Sequence, residues 1–232
     1  MRRQIMKAMA LLLAFCTAIL GWAMAETQEA PVVYVTISAE GALALVRQEV
    51  ELTDVDRDGA LTVNDALIAA HEAAFEGGAE AGYGFDTGEY GLYITKLWGV
   101  ENGGSYGYCK NNAACASLSD PAADGDEIVA YTYADLESWS DAYAYFDAFS
   151  LNTSANEETV LVLKVSGFDA DWNPVETPLE GAVITVNGEV TEVVTDMNGQ
   201  ALISLGEPGE YVVSATAADM ILVPPVCVIT VE

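Results

Sequence analysis

Residues 54–65 read Asp-Val-Asp-Arg-Asp-Gly-Ala-Leu-Thr-Val-Asn-Asp and connect a strand-like segment to a helix-like one. Asp occupies positions 1, 3, 5 and 12 of this segment, and Gly59 occupies position 6. Hard oxygen ligands on one short arc, with a glycine at the sharp turn, are the arrangement that Ca²⁺ requires. We therefore predict a calcium site; the alternative is an acidic turn that binds no metal tightly. The predicted ligands are Asp54, Asp56, Asp58, the carbonyl of Ala60, Thr62 and Asp65.

The segments around this loop predict one helix that packs with several strands. Residues 32–39 and 42–52 alternate in polarity and are rich in apolar and β-branched side chains, which favours an opening pair of strands. Residues 61–75 are rich in alanine and predict a helix, which the glycines at 77–78 end. The remaining predictions are strands at 91–98 and 127–133, a hairpin-like stretch around 106–109, and an aromatic covering segment, helical or extended, at 135–149.

Beyond residue 157 the sequence predicts only strands. The polar stretch 151–157 is predicted to be a linker between two domains. Asn-Gly and Pro-Gly pairs at 187–188, 198–199 and 208–209 predict tight turns, and short strands with such turns favour a small β-sandwich. The predicted strands are 159–168, 182–187, 190–195, 200–205, 210–217 and 226–231.

The N-terminus is typical of a secretory signal peptide. Basic residues precede the apolar run 8–20, and small residues at 23–25 suit cleavage. We therefore predict a signal peptide at 1–25, a short extension at 26–30, and a secreted protein that is either released or associated with the cell surface. The apolar run is too short for a transmembrane helix, so no integral membrane span is predicted.

The charge of the chain excludes several classes of partner. It has 36 acidic and 8 basic residues, and three of the basic residues lie in the predicted signal peptide. A strongly negative field repels nucleic acid and anionic membranes, so neither is an expected partner. The apolar fraction of 52% is still high enough for the chain to bury cores.

The cysteines leave two readings open. Cys109 and Cys115 flank a predicted turn, so a disulfide between them and a pair of free thiols are both compatible with the sequence. Cys227 lies in an apolar predicted strand and is expected to be an inert core thiol.

No catalytic constellation is present, so the chain is predicted not to be an enzyme. His71 is the single histidine and falls on the apolar side of the predicted helix, which favours a packed core residue. The tyrosines are less easily assigned, because nine of the eleven fall between Tyr83 and Tyr145. Such aromatics either fill a core or form a binding face. The candidate ligand-binding residues are Tyr106, Tyr108, Trp139 and Tyr143.

Four stretches of the first half follow one another in the order of a known family. They are Leu61-Thr62-Val63-Asn64-Asp65-Ala66-Leu67, the run Gly91-Leu92-Tyr93-Ile94-Thr95-Lys96-Leu97-Trp98-Gly99-Val100-Glu101-Asn102-Gly103, Asn111-Asn112, and Asp124-Gly125-Asp126-Glu127-Ile128. Over roughly residues 31–149 the chain resembles the transcobalamin-like C-terminal domain of secreted bacterial proteins. The resemblance implies a β-grasp-like fold and a soluble ligand, with cobalamin as the example.

Two further resemblances concern the loop and the second half. Position 12 of the loop is Asp65 where Glu is usual, as in the calcium loops of dockerins. Residues 178–186, 195–201 and 209–215 resemble immunoglobulin-like or transthyretin-like modules of surface proteins, which implies a spacer.

Together these patterns predict an α+β fold of two domains. A β-grasp-like domain with the calcium loop spans 31–150, and an all-β Ig-like sandwich spans 158–232. The expected function is a non-enzymatic extracellular module that binds an unidentified ligand or surface protein and is stabilised by calcium. The alternatives are a cobalamin or corrinoid carrier and, less favoured because only one calcium loop is present, a dockerin partner.

Overall fold

The chain folds mostly as β structure, in several sheets. The computed structural model describes residues 30–103, 106–171 and 173–232, so the predicted signal peptide lies outside the described residues. The helices are α1 (Val63–Ala74) and α2 (Gly78–Gly82). The strands are β1 (Val32–Ala39), β2 (Ala42–Glu51), β3 (Gly84–Gly88), β4 (Gly91–Lys96), β5 (Tyr106–Lys110), β6 (Ala113–Ala114), β7 (Glu127–Thr132), β8 (Ala142–Phe146), β9 (Ser150–Thr153), β10 (Glu158–Phe168), β11 (Pro174–Pro178), β12 (Val183–Val186), β13 (Glu189–Val194), β14 (Gln200–Ser204), β15 (Gly209–Thr216), β16 (Leu222–Val223) and β17 (Cys227–Val231).

The N-terminal sheet has the strand order β2-β1-β7-β5-β6. Strands β1 and β7 are parallel, whereas the other neighbours are antiparallel. Because side chains alternate between the faces of a strand, Val33, Val35 and Ile37 of β1 enter one core together. Leu67 and Ala70 of α1 belong to the same core, so the helix covers this face of the sheet.

The C-terminal strands form two sheets that face each other. One has the order β11-β10-β8-β16, with β14 also paired to β10, and the other has the order β13-β12-β15-β17-β9. Leu161 and Leu163 of β10 share a fully buried core with Ile184 of β12 and Ile229 of β17. The second half is therefore a two-layer all-β unit.

The structure corrects the predicted boundary between the two halves. The segment predicted to cover the first domain contains β8, which pairs with β10 and β16 of the second unit. The predicted linker 151–157 overlaps β9, which pairs in parallel with β17. Alternation of large and small residues in β8 suits a strand buried on both faces, but the pattern does not reveal which sheet the strand joins. By strand pairing, the second unit begins with β8.

A layer of aromatic side chains joins the N-terminal sheet to β8. The rings of Tyr131 and Tyr143 are stacked with centroids 5.9 Å apart, and those of Tyr143 and Tyr145 lie 5.8 Å apart. Tyr131 is on β7, on the face opposite α1, because its neighbours Ile128 and Ala130 enter the first core instead. We call the buried cluster of Cys109, Tyr131, Tyr143, Tyr145 and Val223 the tyrosine layer.

Gly107 is the position at which this layer tolerates no side chain. It lies directly across from Tyr131 in the β5–β7 pair, and a Cβ atom there would overlap the Tyr131 ring. We expect Gly107→Ala to lower the free energy of unfolding by about 1–3 kcal/mol, since inserted atoms force packed side chains out of place. Urea unfolding followed by circular dichroism measures the change.

Gly167→Ala provides the matched control. Gly167 also lies in a strand, β10, but nothing stands within 4 Å of the position that its Cβ would occupy. This variant should be as stable as the wild type or slightly more stable, because alanine restricts the unfolded chain. Equal losses in both variants would show that the Tyr131 contact is not the cause.

Candidate metal centre

Three carboxylates converge in the loop between β2 and α1. One oxygen from each of Asp54, Asp56 and Asp58 lies within 4.8 Å of the others. Asp54 and Asp58 are exposed and Asp56 is half-buried, so a cation can reach them from solvent. Three negative charges this close repel one another, and a divalent cation bound between them would remove that repulsion. This group could hold a metal ion.

Hydrogen bonds from the backbone of the loop hold the carboxylates together. Asp54 accepts from the N–H groups of Asp58 and Gly59, at 3.0 and 3.1 Å. Asp58 in turn accepts from the N–H of Ala60 at 2.8 Å. Gly59 has φ 91°, a left-handed conformation that side chains rarely adopt, which explains the glycine at position 6. The loop thus assumes this shape through its own sequence.

Asp65 and Thr62, two of the predicted ligands, cap the helix. Asp65 is fully buried, and its carboxylate accepts from Thr62 Oγ1 at 2.8 Å and from the N–H groups of Val55 and Thr62 at 2.7 and 3.0 Å. Thr62 Oγ1 accepts from the Asp65 N–H, which completes a capping box. Neither side chain belongs to the carboxylate group, so their role here is to anchor the loop to α1. Ala60, the remaining predicted ligand, lies beside the three carboxylates, because its N–H donates to Asp58.

Asn64 is a supporting residue that the sequence reasoning missed. It is fully buried, and its Nδ2 donates to Asp56 at 2.8 Å while its Oδ1 accepts from the Tyr83 hydroxyl at 2.9 Å. The signal was present, because a carboxamide stands inside the apolar helix pattern directly before Asp65. Asn64 therefore fixes Asp56 and connects the carboxylate group to the core.

His71 is a core residue, as predicted. It is fully buried, and its Nδ1 lies 2.7 Å from the carbonyl of Leu67 while its Nε2 accepts from the Trp98 N–H at 3.1 Å. These bonds require a neutral ring with the proton on Nδ1. The ring also stacks on Tyr83 with centroids 4.9 Å apart. Burial lowers the pKa of His71, partly offset by the bond to Leu67.

This burial makes the protein less stable in mild acid. The unfolded chain binds a proton at His71 near pH 6.5, whereas the folded chain resists it until a lower pH. The stabilisation from His71 is complete above about pH 6.5. It is lost as the pH falls from there to the lower pKa of the folded chain, by at most about 1.4 kcal/mol per pH unit. We expect urea midpoints to fall between about pH 7 and pH 5.5, as the ordinary histidine pKa lies between these values.

His71→Gln tests the assignment, because glutamine retains a donor and an acceptor but does not titrate. The variant should be less stable at neutral pH and should show a flatter dependence on pH across the same window. Equal slopes in the two proteins would assign the dependence to the carboxylates instead.

The four predicted ligand-binding aromatics do not form one site. Tyr106 and Tyr108 pack toward the first core, and the Tyr106 hydroxyl lies 2.7 and 3.0 Å from the carbonyl oxygens of Thr95 and Val100. Tyr143 lies in the tyrosine layer, which is on the other face of the sheet. Trp139 alone is strongly exposed, at 62%. Tyr106 and Tyr108 are two residues apart on β5 and share a face, whereas Tyr143 belongs to β8 and Trp139 lies outside the strands, so the fold does not bring the four together.

Of the two readings that the sequence left open for Cys109 and Cys115, the structure has the free thiols and no bridge. Cys109 lies in the tyrosine layer, whereas Cys115 packs against the first core, so the two side chains enter different layers. Both are free thiols, as is Cys227, which is buried in the sandwich core as expected. Burial raises the pKa of Cys109 to about 12 and that of Cys115 to about 11, so neither is a reactive thiolate.

A comparison with protein-family models and with curated proteins finds no match to this chain. In the ranges that the structure describes, no helix has both the length and the apolar character needed to cross a membrane. The resemblances noted from the sequence therefore stay predictions.

Proposed function

We propose that this chain is a secreted, non-enzymatic extracellular binding or adhesion module that calcium stabilises. The observation that carries the proposal is the convergence of Asp54, Asp56 and Asp58 in a loop with a left-handed glycine. Carboxylate oxygens are the ligands that Ca²⁺ prefers, and extracellular calcium is plentiful enough for a site of modest affinity, ~10⁻⁴–10⁻³ M.

The architecture supports two roles, a binding domain in the N-terminal half and a spacer in the C-terminal half. A helix packed on a mixed sheet, with β1 parallel to β7, suits a β-grasp-like binding domain. Two facing antiparallel-rich sheets suit an Ig-like spacer. The tyrosine layer packs the proposed spacer against the proposed binding domain. The spacer would therefore hold the binding domain, and any partner bound to it, in a fixed position.

Calcium would act on stability rather than on chemistry. The loop is tied to α1 at two points, since Asp65 accepts from the Val55 N–H and Asn64 donates to Asp56. A cation that draws Asp54, Asp56 and Asp58 together would hold these ties in place. The helix, and with it the first core, would then be more stable with calcium than without it.

The test is thermal unfolding of residues 26–232 in excess chelator and in about 10–100 mM calcium, the range about 100-fold above a dissociation constant of ~10⁻⁴–10⁻³ M. At calcium about 100-fold above the dissociation constant, the wild type should gain about 2.7 kcal/mol, a shift of several degrees in Tm. Asp54→Asn with Asp58→Asn should abolish the gain, because two charges of the group are lost while the side-chain shape is retained.

Asp169→Asn is the matched control. Asp169 also accepts backbone N–H bonds in an exposed acidic turn, at 2.9 Å from Asp171 and from Asn173, but it belongs to no carboxylate group of this kind among the described residues. This variant should keep the full response to calcium. A wild type that does not respond would reduce the loop to an acidic turn and overturn the proposed role of calcium.

A second candidate function is the binding of a soluble ligand such as a corrinoid. An open cleft of about 810 Å³ lies between the start of β2 and the outer face of the β12–β15 pair. No charged residue lines it, and Thr185 and Ser214 form a mostly buried hydroxyl pair on its wall. If a corrinoid binds there, mixing cobalamin with the protein shifts the corrinoid absorption spectrum, and Thr185→Val weakens the shift. An unchanged spectrum rules out this candidate.

A further inference from the structure

A groove of about 500 Å³ runs between the outer edge of β2 and helix α1. We call it the edge groove. Its apolar wall comes from Ile68, Ala69 and Ala73 of the helix and from Val55 of the loop, and Val55 is 42% exposed. It is separate from the cleft of the second candidate function, with which it shares no lining residue.

The strand side of the edge groove has backbone groups free to pair. Within the described residues β2 has β1 as its only neighbour. The Leu52 N–H donates to the Pro31 carbonyl at 2.7 Å, so by the alternation of an antiparallel ladder the Val50 N–H also faces β1. The N–H and C=O groups of Glu49 and Glu51 therefore face outward, and the Gln48 amide covers only the Glu49 carbonyl, at 2.9 Å.

The charge of the edge groove restricts what can bind there. Glu49 and Glu51 line its strand side and Glu72 lines its helix side, and no basic residue is among its lining residues. Because Val50 enters the core under α1, the Glu49 and Glu51 side chains point to the opposite face of the strand. An incoming strand would place alternate side chains over the apolar wall and the others near Glu49 and Glu51. Lysine or arginine at the second set of positions would match the charge.

We propose that the edge groove binds an extended peptide segment of a partner protein, in which apolar residues alternate with lysine or arginine. The segment adds as a strand to the outer edge of β2, with main-chain hydrogen bonds to Glu49 and Glu51. This inference rests on the proposed function in one respect, that the first domain is a binding module, and it names the chemistry of the partner.

Calcium would strengthen this binding. Val55 belongs to the metal loop and also lines the groove, and its N–H is held by Asp65. A loop fixed by calcium presents Val55 in one position, so less ordering is required when the peptide binds.

The experiment uses residues 26–232 and a fluorescein-labelled peptide of alternating valine and lysine residues. Fluorescence anisotropy measures the affinity, and amide exchange followed by NMR locates the contact. Because the Glu49 and Glu51 N–H groups face solvent, they should exchange fast in the free protein and become protected with peptide. The Val50 N–H, already paired to β1, should change little. Affinity should fall in excess chelator.

Two variants and one control test the contact further. Glu49→Lys with Glu51→Lys should weaken binding about tenfold or more, since two attractive pairs become repulsive, and Ile68→Asp should weaken it by removing the apolar wall. Glu189→Lys with Glu192→Lys makes the same charge change at exposed positions of β13 and should leave the affinity unchanged. Circular dichroism and the calcium response of Tm show that each variant is folded.

The controls separate a strand-binding groove from general attraction to an acidic protein. A peptide with proline at alternate positions keeps its lysines but cannot complete the ladder, so it should bind far more weakly. Equal affinity for this peptide, an equal loss in the β13 double variant, or no protection of the Glu49 and Glu51 N–H groups would overturn the proposal. The acidic residues would then only keep the strand edge from aggregating. If the peptide does not bind but calcium still raises Tm, the edge-groove proposal is wrong and the proposed role of calcium is unaffected.

Discussion

Strand β8 is the element on which the arrangement of the whole molecule depends, because both of its faces are buried. Ala144 and Phe146 enter the core of the C-terminal sandwich, whereas Tyr143 and Tyr145 enter the tyrosine layer against the N-terminal sheet. One face of β8 thus packs in the sandwich core, and the other packs against the N-terminal sheet. The two units are therefore packed together through one shared element and do not depend on a linker to set their spacing.

The metal loop shows how one short sequence can serve two structural purposes. Asp54, Asp56 and Asp58 face one another, while Asp65 faces inward and caps α1. The capping box fixes the start of the helix whether or not a cation is present. The loop is thus anchored to the first turn of α1. Asn64 bonds both Asp56 and the Tyr83 hydroxyl, and Tyr83 stacks on His71, so the loop is linked to the core.

Local patterns predicted the elements better than they predicted the contacts between them. The helix predicted at 61–75 forms at Val63–Ala74, and the strands predicted at 32–39 and 127–133 form at Val32–Ala39 and Glu127–Thr132. These elements follow from periodicity, capping residues and glycines, all of which act over a few residues. Which strands pair with one another depends on contacts between residues far apart in the sequence. The local patterns therefore did not reveal that β8 and β9 join the second unit.

The same distinction explains the outcome for the candidate site. The spacing of Asp54, Asp56 and Asp58 predicted their convergence because a single loop brings them together. Tyr106, Tyr108, Trp139 and Tyr143 do not lie on one face, because that would require several separate segments of the chain to present them together. Cys109 lies on β5 and enters the tyrosine layer, whereas Cys115 follows β6 and packs against the first core.

The pairing of β9 with β17 has a mechanical consequence for the second unit. These strands are parallel neighbours, with Ser150 opposite Val228 and Thr153 opposite Val231. Tension applied between the start of β9 and the end of β17 runs along both strands, so it loads their hydrogen bonds in shear. Bonds loaded in shear must break together, whereas those of a hairpin pulled from its open end break one after another. The sandwich is therefore built to resist being drawn out along its length.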